Sequence, residues 1–200
     1  MKLILASASP RRAELLRSLG LEFDVLPTGV DECDEHPVSV HDIALHNARV
    51  KALDVAARHR DALVLGADTI VVLGSEVFGK PRDLDDARRM LRSLSGHTHS
   101  VITGVCLVCR GESRERTFTV ETRVQFRPLS DADIERYLDA VHVLDKAGAY
   151  AIQEGPPLVA NLDGSYSNVV GLPLERLAAE LREWGVHAGL SSIDPAQPQR

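Results

Sequence analysis

Aromatic residues are scarce in this 200-residue chain, at 4% of the total, so Leu, Val, Ile and Ala must fill whatever core forms. The 44% hydrophobic content still suffices for one substantial core. No apolar run approaches the roughly 20 residues that cross a bilayer. The N-terminus also lacks the ordered charged, apolar and small-residue regions of a signal peptide, so a cytoplasmic protein with no membrane partner is expected. Cysteine is limited to Cys33, Cys106 and Cys109. Three thiols cannot all pair internally, which fits a reducing compartment. Cys106 and Cys109 have C-x-x-C spacing, but they sit in an expected strand where positions three apart face opposite sides, and no second pair completes a metal site. Structural thiols are the expectation. Basic charge is also short: the net charge is −6 and the pI about 5.7. That excludes a broad cationic face for nucleic acid and leaves room for a local basic cluster around a small anion. Phosphate-loop, dinucleotide-binding, zinc-protease and nucleophile-elbow motifs are all missing. Gly164-Ser165-Tyr166-Ser167 approaches the last of these but has no closing glycine.

What the chain does have is concentrated at its start. A short apolar strand runs into Ser7-Ala8-Ser9-Pro10-Arg11-Arg12 and then a helix over 10–19. Ser9 suits the N-cap, Pro10 the first helical position and Gly20 the terminator. Arg11 and Arg12 then lie at the positive end of the helix dipole, where cations are disfavoured unless an anion joins them. Either a phosphate-binding corner or a solvated helix start accounts for this.

Further along, strands are expected at 21–26, 62–73, 98–109 and 114–126, with a hairpin turn at Gly74-Ser75 leading to Phe78. Helices are expected over 40–60, after Asp83, from Ser130 to Val141 and from Leu174 to Trp184. Residues 145–173 are punctuated by Gly and Pro, and a flexible tail is expected over 190–200. Strand-helix units followed by an antiparallel hairpin imply an α/β protein with a mixed twisted sheet and flanking helices, in one domain over 1–189.

Asp68 is the chief chemical candidate, because a carboxylate inside an apolar strand persists only if it is paired, protonated or metal-bound. A structural Asp bonded to nearby backbone is the alternative. Gly66 before it implies close approach by another element. Thr69 should face the other side of the strand. Glu32, in an acid-rich loop with Asp31, Asp34 and Glu35, is a second oxygen donor for a hard divalent cation or simply a solvated acid. Lys51, Lys80 and Arg82 each sit beside an element end that could converge with Arg11 and Arg12. Gln153 offers an amide able to read a base edge, or to serve a strand end structurally. His97 and His99 are expected to be partly exposed.

Together these segments resemble the Maf family of nucleotide pyrophosphatases. The resemblance rests on Leu5-Ala6-Ser7 through Arg12 with Leu15-Leu16, then Gly66-Ala67-Asp68-Thr69, Gly79-Lys80-Pro81, and Ser95-Gly96 with Thr103-Gly104. Asp145-Lys146-Ala147-Gly148-Ala149-Tyr150 and Gly164 through Pro173 follow in the same order, so it covers about residues 2–185. It implies two lobes around a central cleft, related in architecture to inosine triphosphate pyrophosphatases, and a homodimer. The implied activity is hydrolysis of nucleoside triphosphates to monophosphate and pyrophosphate with a divalent metal such as Mg2+ or Mn2+. By that resemblance Asp68 is the proton acceptor or metal ligand, Glu32 the second acid, and Ser7, Arg11, Arg12, Lys51 and Lys80 the phosphate contacts. Arg11, Thr69 and Gln153 match the positions that separate the dTTP/UTP subgroup from the one acting on 7-methyl-GTP. Glu154, where the former usually has Gly, and Pro156-Pro157 depart from its pattern. A nucleotide-binding regulator of septum formation is the non-catalytic alternative. A nucleic-acid binder is disfavoured by charge and by the lack of interleaved aromatics.

Overall fold

The computed structural model describes residues 1–33 and 39–187. The expected tail at 190–200, together with Asp34 and Glu35 of the acid-rich loop, lies outside the described residues.

The chain begins with β1 (Leu3–Leu5), α1 (Pro10–Ser18), β2 (Asp24–Val25) and α2 (Val40–Arg58). The central part holds β3 (Leu63–Leu73), β4 (Glu76–Phe78), α3 (Leu84–Leu94), β5 (Thr98–Cys109) and β6 (Arg114–Phe126). Then come α4 (Asp131–Ala140), a 3-10 turn (Ala147–Ala149), β7 (Val159–Asp163), α5 (Tyr166–Val170) and α6 (Leu174–Glu183). The strands form one mixed sheet in the order β2-β1-β3-β5-β6-β7, with β4 added to β3. Pairing is parallel around β1 and antiparallel elsewhere.

Local capping chemistry sets the helix ends. The Ser9 and Asp83 side chains accept from backbone N–H groups three residues on, and Ser130 with Asp133 completes the expected capping box. Strand alternation then divides the core. Leu3, Leu5, Leu65 and Leu107 face α1 and α6, whereas Ile4, Val64, Cys106 and Val108 face α2. Cys109 lies on the first face and Cys106 on the second, both buried as apolar packing groups, as their spacing implied.

Two expectations fail. The strand expected over 21–26 forms ladder pairs only at Asp24 and Val25, because Leu21 and Phe23 spend their apolar surface against the α1 core instead. His99 is buried, not partly exposed: its Nε2 lies 2.9 Å from the Tyr150 hydroxyl, and its ring packs edge-on to Phe126 and Tyr150. His97 is exposed.

Glycine decides how closely α2 lies on the sheet. A Cβ at Gly66 would fall 2.2 Å from the Ala48 carbonyl oxygen, and one at Gly104 2.4 Å from the Ala44 carbonyl. Small residues on both sides therefore allow backbone-to-backbone contact, and this closeness brings the middle of α2 against Asp68.

Candidate functional site

β1 pairs with β3 only as far as Leu65, and β4 joins the same side of β3 only from Val71. Between them, part of the β3 edge around Asp68 and Thr69 has no strand beside it among the described residues. A cavity of about 510 Å³ occupies this gap, a size typical of small-molecule sites. Asp68 reaches it from the α2 side of the strand and Thr69 from the α1 side. This is how neighbours with opposed side chains can line one cavity.

Three of the candidates meet at one ammonium. Lys51 Nζ donates to Asp68 Oδ1 at 2.7 Å and pairs with Glu32 Oε1 at 2.8 Å. The Lys51 and Asp68 side chains are each only 7% exposed, so Lys51 lies in the middle of α2 within its buried row, not beside an element end as expected. Asn47, one helical turn earlier, donates to Asp68 Oδ2 at 3.1 Å and holds the backbone of Cys33 through both ends of its amide. Asp68 is thus satisfied by side chains, and its bonds are to α2, not to nearby backbone. Burial alone would raise the Glu32 pKa, but hydrogen bonding and charge from Lys51, then Lys80, hold it below the ordinary carboxylate value.

The N-terminal corner is a fork with three neutral acceptors. Arg12 donates from Nε to the Gly171 carbonyl at 3.0 Å, from Nη1 to Ser7 Oγ at 3.3 Å and from Nη2 to Thr69 Oγ1 at 3.1 Å. Among the described residues no carboxylate pairs with it. Burial lowers its pKa while Asp68 and Glu32 oppose that, and a guanidinium stays charged in either case. Arg11 instead donates to Asp145 Oδ2 at 2.9 Å. Burial would raise the Asp145 pKa, yet Lys146 and Arg11 hold it down.

Lys80 lies across the cavity, its Nζ 3.4 Å from Glu32 Oε1 and its side chain 56% exposed. The preceding Gly79 carbonyl accepts from the Gly148 N–H, which ties down that loop. Gln153 also lines the cavity, but from a turn and not a strand end, with Nε2 donating to Glu154. Arg82 does not converge: its largely exposed side chain pairs with Asp86 on α3. Sequence reasoning missed Asn47, whose spacing of four from Lys51 on an apolar helix was the available clue, and Asp145, whose role depends on a partner distant in the chain.

The charge balance inside the cavity is the reverse of the whole chain's. Five cations, the residues above with Lys146, line it against Glu32, Asp68 and Asp145. A ligand with several negative charges is what this lining accommodates. The donor set also suits a hard cation, since Glu32 and Asp68 both present oxygens to the point where Lys51 Nζ sits. No group of three or more acidic, His or Cys side chains forms such a site among the described residues. Water and ligand oxygens would therefore complete the shell of any metal held there. No helix among the described residues is long and apolar enough to cross a membrane.

Residues 2–184 match the family model described as Maf-like protein. The dTTP/UTP pyrophosphatase of Carboxydothermus hydrogenoformans is 46% identical over 92% of this chain and 100% of its own length. Proteins of the same name from Myxococcus xanthus and Anaeromyxobacter dehalogenans are 50% and 52% identical, over 92% of this chain and 93% and 94% of theirs. Among solved structures, the Staphylococcus aureus Ham1 protein superposes with a TM-score of 0.47 at 12% identity, covering 63% of this chain and 72% of that one.

Proposed function

Because this chain belongs to the Maf-like protein family, we propose that it is a nucleoside triphosphate pyrophosphatase, hydrolysing dTTP and UTP to the monophosphate and pyrophosphate. The observation that carries the reading is Arg12: a charged fork bonded only to neutral oxygens, in a cavity with more cations than acids. A half-buried guanidinium with no paired carboxylate is costly, and a polyphosphate supplies the missing counter-charge.

Arg11, Arg12 and Lys80 bind the phosphates and meet charge that grows on their oxygens as water attacks phosphorus. The Asp68 carboxylate accepts the proton of that water. The α–β anhydride bond breaks, and its electron pair leaves with pyrophosphate. Lys51 and Asn47 hold Asp68 in place, while Gln153 lies where a base edge could be read. Glu32 and Asp68 would hold Mg2+ or Mn2+. When bound, such a cation neutralises phosphate charge and lowers the pKa of coordinated water. A cytoplasmic location and a homodimer complete the proposal.

The test is product identity. With dTTP or UTP and Mg2+, pyrophosphate and monophosphate should accumulate in equal amounts and chelation should stop the reaction. Inorganic phosphate with a diphosphate would point to a different hydrolase. Nucleotide binding with no turnover would favour the regulator.

A further inference from the structure

Thr69 on β3 and Thr103 on β5 are direct cross-strand partners, and their hydroxyl oxygens lie 3.0 Å apart. Thr69 lines the cavity. Thr103 lies behind it with 0% exposure and does not itself line the cavity.

A hydroxyl has one hydrogen to give. That of Thr103 goes to the Asn168 backbone carbonyl at 3.1 Å, because a carbonyl has none to offer. The bond between the two threonines must then use the hydrogen of Thr69. With that hydrogen spent, Thr69 Oγ1 can only accept on its cavity side, and Arg12 Nη2 donates to it at 3.1 Å. A guanidinium can only donate, so the direction of the whole chain is fixed at both ends. It runs from Arg12 to Thr69 to Thr103 to Asn168.

The far end is firmly held. Asn168 is fully buried, with Nδ2 donating to the Val101 carbonyl at 3.1 Å and to Thr122 Oγ1 at 3.0 Å. Three residues later the Gly171 carbonyl accepts from Arg12 Nε. The segment around α5 therefore grips Arg12 by two routes, one direct and one through the threonine pair.

We propose that Thr103 is a positioning residue for polyphosphate recognition: its buried hydroxyl turns Thr69 into a pure acceptor, and that acceptor fixes the plane of the Arg12 fork. This deepens, and rests on, the reading of Arg12 as a phosphate-binding group. One consequence concerns specificity. The Thr69 hydroxyl has no hydrogen left for a base carbonyl, so its side chain meets the ligand only as an acceptor or through Arg12.

The test compares wild type with Thr103→Val, Thr103→Ser and Thr69→Val. Binding of inorganic tripolyphosphate by calorimetry and KM and kcat for dTTP are measured for each. Thr103→Val keeps the shape and removes the hydroxyl, so tripolyphosphate should bind up to about tenfold more weakly, as for loss of one hydrogen bond between neutral groups. The KM should rise more than kcat falls. Thr103→Ser, which keeps the hydroxyl, should return binding to within about twofold of wild type. Thr69→Val breaks the chain one link nearer the cavity and should reproduce the loss, providing the same measurement if Thr103→Val does not fold. The double Val variant should be no worse than either single one.

Unchanged tripolyphosphate binding in Thr103→Val would overturn the proposal. So would a Thr103→Ser variant as weak as Thr103→Val, since packing would then explain the loss. If wild type binds tripolyphosphate but releases no pyrophosphate from dTTP, the activity reading fails, while the binding differences still support the positioning role.

Discussion

At the residue scale, the site separates charge from geometry. Arg12→Lys keeps the charge but cannot reach three acceptors in one plane. We expect kcat/KM for dTTP to fall by about 10² to 10³, the usual cost of one lost transition-state donor, with the circular dichroism spectrum unchanged. Asp68→Asn should cost at least as much in pyrophosphate release, because an amide cannot take the proton. Lys51→Met removes the ammonium that Glu32 and Asp68 share and leaves a buried carboxylate exposed to its neighbour. Its unfolding free energy should drop by roughly 3–5 kcal/mol in denaturant titrations. Added Mg2+ should raise the midpoint of this variant more than that of wild type, and equal shifts would count against Glu32 and Asp68 as the metal-holding pair. The individual candidates were legible in the sequence because Asp68 breaks an apolar strand and the two arginines break the dipole rule. Their partners were not. Asn47, Asp145 and the hydroxyl of Thr103 act through atoms 21 to 134 residues away along the chain, and no local pattern encodes such meetings.

At the element scale, the contact of α2 with the sheet controls where Lys51 and Asn47 stand. Gly104→Ala places a methyl group 2.4 Å from the Ala44 carbonyl, and backbone must move to admit it. We expect a loss of about 1–3 kcal/mol in stability, as for overpacking, along with a fall in turnover as Lys51 draws away from Asp68. Gly29→Ala meets nothing within 4 Å and should leave the thermal midpoint where it was. Elements bounded by local chemistry were readable in advance. Pro10 and Gly20 bracket α1, Ser130 and Asp133 start α4, and the alternation of β6 matches its observed span. β2 is shorter than its apolar run because such a run can be consumed by packing against a helix as well as by a ladder. Arg82 stays away from the cavity since a cation next to a loop goes to the nearest acid, here Asp86.

At the scale of the whole molecule, acid should destabilise the fold in a window set in part by His99. Burial lowers its pKa from 6.5 to about 4, so the unfolded chain binds the proton more readily than the native one. Its contribution is complete above pH 6.5 and is lost as pH falls toward 4, amounting to roughly 3 kcal/mol by linkage. In His99→Phe the stability difference from wild type should shrink or reverse over that interval, as read from denaturant midpoints at pH 7, 5.5 and 4. Parallel curves would show that His99 does not titrate between the two states. The acids of the cavity behave in the same direction: Glu32 and Asp145, held low by their cations, keep their contribution until more acidic conditions.

The opening between β1 and β4 has a consequence of its own. A bare strand margin on the outside of a protein invites other chains to zip onto it. Here the margin faces the cavity and is bracketed at both ends, so no strand among the described residues takes up that stretch of β3, and it is not offered to a passing polypeptide. Only something short enough to enter between the brackets can use it, and the fold breaks none of its own ladder bonds to admit such a guest.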